Sequence, residues 1–448
     1  MPAAAGSTAL KCDPENEQSE PNPPAWRGPY GLRAFRHRNF TLLWTGQLVS
    51  LTGTWMQGLS LPFLVYQLTG SKSLLGIVAA ASLLPAFVVT LPSGVIADRF
   101  SKRRIVLITQ TALLMQALAL ATLTFTHLIR PWHIVALGTF AGFANSMDMP
   151  TRQAMVVELV GKDDLANAVA LNSSMFNLTR IAGPFVGGIV YAAVGPAWCF
   201  LINAVSYLGA IVGLLLMRNV KAAMQVRRDQ PMRKQIGEGL WYVWRDKLMR
   251  NMLVMTGVSQ MFLMPYGIFF AVFATTIYKV GPTGQGMMSA AVGVGALAAA
   301  LGVSSLGHLY ENKTIAFAGA ILAPLGLLGF ALCRSFHGTL AYLVVIGMGM
   351  MMFMAASNTI LQVGAPAGLG GRVMSLRALV MFGLGALGSA MMGRLAEVRH
   401  VDVRGTILIG ASVGLASSLY FAFSSLRSRE PAALTAALAS EEVGVDAD

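Results

Sequence analysis

The chain has 448 residues, of which 55% are hydrophobic and only 12% charged, and its mean hydropathy is +0.61. Soluble domains carry about 25% charged residues, so too few charges are present to cover a water-exposed surface of this size, and the missing solvent is lipid. The formal net charge of +13 does not indicate a nucleic-acid partner, because the basic residues fall between apolar runs rather than along one face.

The three cysteines, Cys12, Cys199 and Cys333, are far apart and odd in number. They form neither a metal-ligand spacing nor a disulfide framework, and no HExxH pair exists, so no metal or other cofactor is expected. Gly70-Ser71-Lys72-Ser73 looks only like the tail of a phosphate-binding loop and lacks its order of residues. This argues against an ATP-driven pump and leaves an ion gradient, or the solute's own gradient, as the energy source.

In chain order, residues 1–30 are polar, rich in proline, alanine and acidic residues, and lack an apolar h-region. The stretch 1–38 therefore reads as a disordered cytoplasmic tail rather than a signal peptide. From about Asn39 the chain becomes a series of apolar runs near the ~20 residues needed to cross a bilayer. Six lie at roughly 40–68, 73–97, 105–127, 132–157, 166–194 and 197–217, and six more at roughly 250–279, 283–307, 314–334, 337–362, 372–397 and 402–426. The expected fold is an all-α membrane protein with about twelve transmembrane helices in two pseudo-symmetric six-helix bundles, 39–217 and 250–426. Between them lies a basic loop, 218–249, with an amphipathic stretch at Ile236–Trp244. The tail, 427–448, ends acidic and is expected to be disordered.

Alternate loops carry the positive charge: Arg99, Lys102, Arg103 and Arg104, then Arg152 and Lys162, then the cluster from Arg218 to Arg250. The positive-inside rule makes these loops cytoplasmic, and an even number of spans leaves both termini inside. A weak internal similarity, Leu165-Ala166-Asn167-Ala168-Val169 against Leu369-Gly370-Gly371-Arg372-Val373, supports related halves.

The sharpest motif is Gly94-Val95-Ile96-Ala97-Asp98-Arg99-Phe100-Ser101-Lys102-Arg103-Arg104, between spans two and three. It resembles the signature loop of the major facilitator superfamily, with Ile96 in place of leucine and Ser101 in place of the second glycine. The resemblance implies that Asp98 acts as a gate, with Arg99 and Arg103 as partners and Gly94 as part of the same gating motif. A carboxylate near a helix end and a charge pair between bundles give that role its physics. The corresponding loop of the second half, Gly307 to Lys313, is degraded.

Span five contains Arg180-Ile181-Ala182-Gly183-Pro184-Phe185-Val186-Gly187-Gly188, which resembles the Gly-Pro-x-x-Gly-Gly core of the motif found in proton-coupled drug exporters. Pro184 is expected to kink the helix, and Gly183, Gly187 and Gly188 to allow close contact with the opposite bundle. Plain helix packing is the alternative. Arg180 lies well inside the span, where a charge faces a cavity or a partner. It could hold an anionic solute or tune a carboxylate; it could equally neutralise a carboxylate structurally or snorkel to the surface.

Asp148 and Arg152 in span four stand at i,i+4 spacing, with Pro150 between them. Asp148 is the candidate proton site, and a structural salt bridge is the competing reading. No arginine occurs between Trp132 and Asn145, a departure from the drug antiporters that the family pattern implies. Gln47, Trp55 and Gln57 in span one, Asn145 in span four, Gln260 and Tyr266 in span seven, and Asn358 and Gln362 in span ten are the candidate cavity residues. For each amide alone, an interhelical hydrogen bond is the competing role.

The run of Trp55-Met56-Gln57, Pro150-Thr151-Arg152-Gln153-Ala154, Leu165-Ala166-Asn167-Ala168 and Gly183-Pro184 looks like the enterobactin-exporter branch of that superfamily, over Phe35 to Ser425. The resemblance implies a bacterial inner-membrane exporter of siderophores, antibiotics or similar amphipathic solutes, monomeric and driven by protons. An importer or facilitator on the same fold is the near alternative. A membrane-embedded enzyme or a sensor is more remote, since no constellation of His, Asp/Glu or metal ligands and no sensory domain is present.

Overall fold

A computed structural model describes residues 29–99, 101–161, 163–218, 232–366 and 369–426, with the side chains of 90–99 and of a few other helical positions outside the description. The first half comprises α1 (Arg38–Thr69), α2 (Lys72–Arg99), α3 (Lys102–Phe125), α4 (Pro131–Val160), α5 (Leu165–Val194) and α6 (Pro196–Leu215). A short amphipathic helix, α7 (Met232–Arg245), precedes the second half. There α8 (Lys247–Val258) continues through irregular helical turns and the three-residue α9 (Phe270–Val272) to Ile277. It is followed by α10 (Gly281–Leu306), α11 (Asn312–Leu332), α12 (Phe336–Val363), α13 (Gly370–Leu395) and α14 (Asp402–Leu426).

Ten of these segments, with Lys247–Ile277 taken as one, are long and apolar enough to cross a membrane among the described residues. The other two long helices, α4 and α5, have 30 residues each, ample length at ~1.5 Å per residue. They are the more polar pair, carrying Asp148 and Arg152 on one and Arg180 on the other. The twelve expected spans thus correspond to twelve long helical segments. Their ends follow local chemistry. Gly70, at φ 63°, takes the left-handed conformation after α1 and donates its N–H to the Tyr66 carbonyl at 2.8 Å. Pro131, Pro196 and Pro282 occupy first turns, where a missing N–H costs nothing.

Within the first half α1 packs on α5 and α6, and α4 on α2 and α3; within the second, α12 packs on α10 and α11, and α11 on α14. The two halves meet along α2 with α13 and α5 with α10. Side chains such as Ile108, Met115, Leu301 and Leu387 point outward and exposed, the surface that lipid tails cover. Because lipid is as apolar as these side chains, helix association rests on close packing rather than on exclusion of water. Gly76 and Gly393 serve this directly: a β-carbon on Gly76 would lie 2.3 Å from the Ser389 carbonyl oxygen.

The face where α1 begins and α14 ends is called here the terminal face, and the opposite one the far face. At the far face a single apolar cluster joins both halves, with Leu64, Val65 and Leu75 on one side and Phe273, Met288 and Met392 on the other. Hydrogen bonds between the halves, among the described residues, gather there too. Tyr66 bonds Thr276 at 3.0 Å, Lys72 donates to the Ala396 carbonyl at 3.1 Å, and Gln285 donates to the Leu59 carbonyl at 3.2 Å.

Two sequence expectations need refinement. Within the stretch 1–38, expected to be disordered, Tyr30–Arg36 forms a 3-10 helix with Ala34 buried. It is held by the α4–α5 turn, described below. The span expected to run evenly over 250–279 is instead interrupted: wide turns at Ser259–Leu263 and Phe273–Ile277 flank a tight turn at Met264–Phe269 that opens on Pro265. Proline offers no N–H to a preceding carbonyl and its ring clashes with the regular helix, which accounts for the change of winding there.

Candidate functional site

Pro150 does not open α4, which runs unbroken from Pro131 to Val160. Asp148 and Arg152 therefore lie one turn apart on one face, and the Arg152 Nε sits 2.7 Å from Asp148 Oδ2. Two side chains of α3 complete the carboxylate: Thr109 donates to Oδ1 at 2.7 Å and Gln110 at 3.0 Å. Gln47 of α1 is placed with its amide oxygen toward the guanidinium, assigned from the partners it faces. In that orientation it accepts from Arg152 Nη1 at 2.6 Å and Nε at 3.0 Å. Asp148 is 1% exposed. A buried pair that is hydrogen-bonded on both sides is stable as a unit and costly to halve.

A second set of polar contacts lies beside it, between α1, α3 and α6. Gln57 accepts from Asn203 at 2.9 Å and donates to Gln116 at 3.3 Å, and Thr54 meets the buried Tyr207 hydroxyl at 3.2 Å. Gln47 and Gln57, both candidate cavity residues, are thus engaged inside the first bundle.

The span-five motif divides its work. A β-carbon on Gly183 would lie 2.5 Å from Trp55 Cβ, and one on Gly187 would lie 2.8 Å from Met56 Cγ, so these two glycines seat α1 within the same bundle. Gly188 and Pro184 face the other half. A β-carbon on Gly188 would stand 2.6 Å from the Pro282 carbonyl oxygen, and one on Gly286 would stand 2.6 Å from that of Pro184. The expected contact with the opposite bundle therefore rests on Pro184 and Gly188, because Gly183 and Gly187 point to α1. Trp55, besides packing on Gly183, stacks edge-on to Phe176 at 5.7 Å.

In the second half, a pocket opens beside the interrupted span. Ser259, Gln260 and Met264 line it from that segment, Phe353 and Met354 from α12, and Arg377 from α13. Irregular turns inside membrane helices occur where backbone lines a cavity. Arg377 is 7% exposed; its Nε has no partner, and its Nη2 reaches only the Met354 carbonyl, at 3.5 Å. Tyr266, two residues beyond Met264, is buried and packs edge-on to Phe270 at 5.4 Å. Arg180, half-buried on α5, makes no ion pair among the described residues, and its carbonyl oxygen would lie 3.5 Å from a β-carbon on Gly293 of α10.

Of the remaining candidates, Asn145 is exposed and donates back to the Ala141 carbonyl at 2.9 Å. Asn358 is half-buried and Gln362 exposed toward the terminal face, and neither joins the pocket wall. The gate residues Gly94, Asp98 and Arg99 fall in α2, where the side chains lie outside the described residues. Arg103 donates to the Leu215 carbonyl at 3.0 Å, capping the end of α6 in its own bundle.

Three features escape sequence reasoning. Arg377 is one; it carries the same signal as Arg180, a charge inside an apolar run. The second is a clasp at the terminal face. Asp164, 1% exposed in the turn before α5, lies 2.9 Å from Arg33 Nε, 2.7 Å from Arg36 Nε and 2.7 Å from His37 Nε2. Burial pushes this carboxyl upward, but the hydrogen bonds of His37 and Arg36 and the charges of Arg36 and Arg33 outweigh it, holding Asp164 below its ordinary value. The third is at the far face, where Glu397 of the second half caps α2 of the first. It accepts from the Ser71 hydroxyl at 2.8 Å and from the Ser73 N–H at 3.0 Å. The Ser73 N–H contributes most to holding this carboxyl low, burial opposes it, and Ser71 and Lys72 add to the effect.

Residues 30–448 match the family described as transmembrane secretion effector. The chain belongs to that family of major facilitator transporters. It is 25% identical over 344 residues to the multidrug efflux pump Tap of Mycolicibacterium fortuitum, covering 75% of this chain and 84% of Tap. It is 21% identical to the enterobactin exporter EntS of Escherichia coli O1:K1 / APEC, over 81% of this chain and 86% of EntS. In fold it is similar to the crystal structure of the nucleoside transporter NupG, with a TM-score of 0.70, 14% identity, and coverage of 86% of this chain and 98% of NupG. A multi-pass transporter built as two joined helical halves, and not an enzyme, is therefore the frame for its chemistry.

Proposed function

We propose that this transporter exports small amphipathic solutes across a bacterial cytoplasmic membrane by alternating access, driven by protons, as a monomer with both termini in the cytoplasm. The observation that carries this reading is the uneven joint between the halves. Among the described residues, apolar packing and polar contacts between the halves gather at the far face, and a mostly apolar pocket with Arg377 on its wall lies beside an interrupted helix. With the basic loops cytoplasmic, a seam closed at the far face is the inward-open form that loads solute from the cytoplasm. Opening it requires parting that apolar packing, exchanging a few hydrogen bonds and sliding glycine-lined contacts, the kind of rocking that two rigid bundles perform.

Asp148 is the one buried carboxylate in a long helix among the described residues, and we assign it the proton. Protonation cancels its pairing with Arg152 and frees α4 to shift against α1 and α3. Asp98, by resemblance, latches the terminal face in the opposite form, with Arg99 and Arg103 beside it. The names of Tap and EntS, a drug pump and a siderophore exporter, favour export over import. The test is dye or siderophore accumulation in inverted vesicles, with and without an imposed proton gradient. Gradient-dependent accumulation supports the proposal, and its loss in a correctly inserted Asp98→Asn variant supports the gate. Movement indifferent to the gradient would turn the reading toward a facilitator.

A further inference from the structure

The interior charges of the two halves do not balance in the same way. In the first, the Asp148 carboxylate and the Arg152 guanidinium meet each other and neutral partners. In the second, Arg377 is more than nine-tenths buried, lines a pocket, and keeps an Nε donor with no partner. Its single hydrogen bond, 3.5 Å to a backbone carbonyl, is at the outer limit of such contacts. An uncompensated guanidinium in a membrane interior is expensive to maintain and marks a site that something anionic completes. Its planar fork of donors suits a carboxylate or another two-oxygen anion.

The rest of the pocket says what the anion is attached to. Ser259 and Gln260 supply two neutral polar groups, while Met264, Met354 and Phe353 supply a soft apolar wall. Methionines accommodate varied shapes, which fits an amphipathic body rather than a small inorganic ion. Arg180, which makes no ion pair among the described residues, lies on α5 of the other half at the seam with α10, where a β-carbon on Gly293 would stand 3.5 Å from its carbonyl oxygen. Among the described residues, the two interior charges without an ion-pair partner, Arg377 and Arg180, are both positive, and each disfavours a lipophilic cation beside it.

We propose that the pocket between the interrupted span, α12 and α13 binds the anionic group of an amphipathic organic acid, with Arg377 receiving the oxyanion and Arg180 adding attraction from the opposite half. The proposal takes its direction of transport from the exporter reading, but the binding it describes does not depend on that direction.

The test compares two xanthene dyes of opposite charge, carboxyfluorescein and rhodamine 6G, by fluorescence polarisation on the full chain in phosphatidylcholine nanodiscs. The wild type is expected to bind the anionic dye more tightly. Arg377→Gln should lower the anion-to-cation affinity ratio by about tenfold, the size expected for loss of a charge-assisted hydrogen bond. Arg377→Lys should fall between, and Arg180→Gln should lower the ratio less. A wild type that prefers rhodamine, or an Arg377→Gln variant that weakens both dyes equally, would overturn the proposal and make Arg377 a packing residue. If phosphatidylglycerol in the nanodisc abolishes anionic-dye binding, the site belongs to a lipid headgroup and the solute assignment fails; unchanged binding supports it. Anion-selective binding without export in vesicles counts against the exporter reading alone, and export with no anion preference counts against this inference alone.

Discussion

Arg152 in the first bundle and Arg377 in the second are both held inside long helices, yet their surroundings are opposite. Arg152 has a carboxylate one turn away and an amide from a neighbouring helix. Arg377 has a weak carbonyl contact and an open pocket. The difference teaches how one residue type serves two ends in one fold. On the proposals above, a guanidinium paired with a carboxylate of its own helix serves the moving parts, and one left with an unpartnered donor beside a pocket serves the solute.

The contrast is most exposed to stability measurements. Asp148→Ala leaves the half-buried Arg152 without a counter-charge, held only by Gln47, and it should cost about 3 kcal/mol, the lower end for halving a buried pair. Replacing both together, Asp148→Asn with Arg152→Gln, should recover much of that loss in a double-mutant cycle followed by thermal unfolding in detergent. Arg377→Met should do the reverse: removing an unsatisfied buried group is expected to stabilise by about 1–3 kcal/mol while anionic-dye binding falls. Equal destabilisation by Asp148→Ala and Arg377→Met would erase the distinction.

The two faces give smaller effects. Gly188→Val places a side chain against the Pro282 carbonyl and should spring the far-face seam, increasing cysteine-reagent labelling of Thr276→Cys from the far side. At the terminal face, Asp164→Asn should free Tyr30–Arg36 and speed tryptic cleavage after Arg33 and Arg36. Because the Asp164 carboxyl is held below its ordinary 3.8, the clasp is complete above that value and lost only as pH falls through the lowered one. It should therefore protect the segment fully at neutral pH. Glu397→Gln, at an exposed site, should have the least effect: a modest shift toward the form open at the far face, read by the same labelling.

Much of the fold was legible because a membrane helix announces itself in its own residues. Each apolar run needs only length and the absence of charge, and the basic loops between runs give a direction. The Asp148–Arg152 pair was legible for a similar reason, since i,i+4 spacing is local. What converges on it was not: Thr109, Gln110 and Gln47 come from other helices, and nothing in their own neighbourhoods says that they meet. The same distance in sequence hides the role of Gln57, which reads as a cavity amide and is tied to Asn203 and Gln116. Arg377 lies five residues after Arg372, near the start of α13, where a basic residue that snorkels is ordinary, so its burial was masked. Asp164 and Glu397 look like surface charges in turns, and only packing of the N-terminal segment and of the opposite half gives them partners. The span over 250–279 was expected to run evenly although it contains Pro265, and the irregular winding beside the pocket emerged only in the structure.

The most direct test of the account is to separate coupling from binding at Asp148. Proteoliposomes containing wild type or Asp148→Asn are loaded with an anionic dye, and exchange across the membrane is followed with and without an imposed proton gradient. The account predicts that the gradient drives the wild type uphill, while Asp148→Asn still exchanges dye at equilibrium but gains nothing from the gradient. Uphill transport by Asp148→Asn equal to that of the wild type would contradict it and return Asp148 to a purely structural pair.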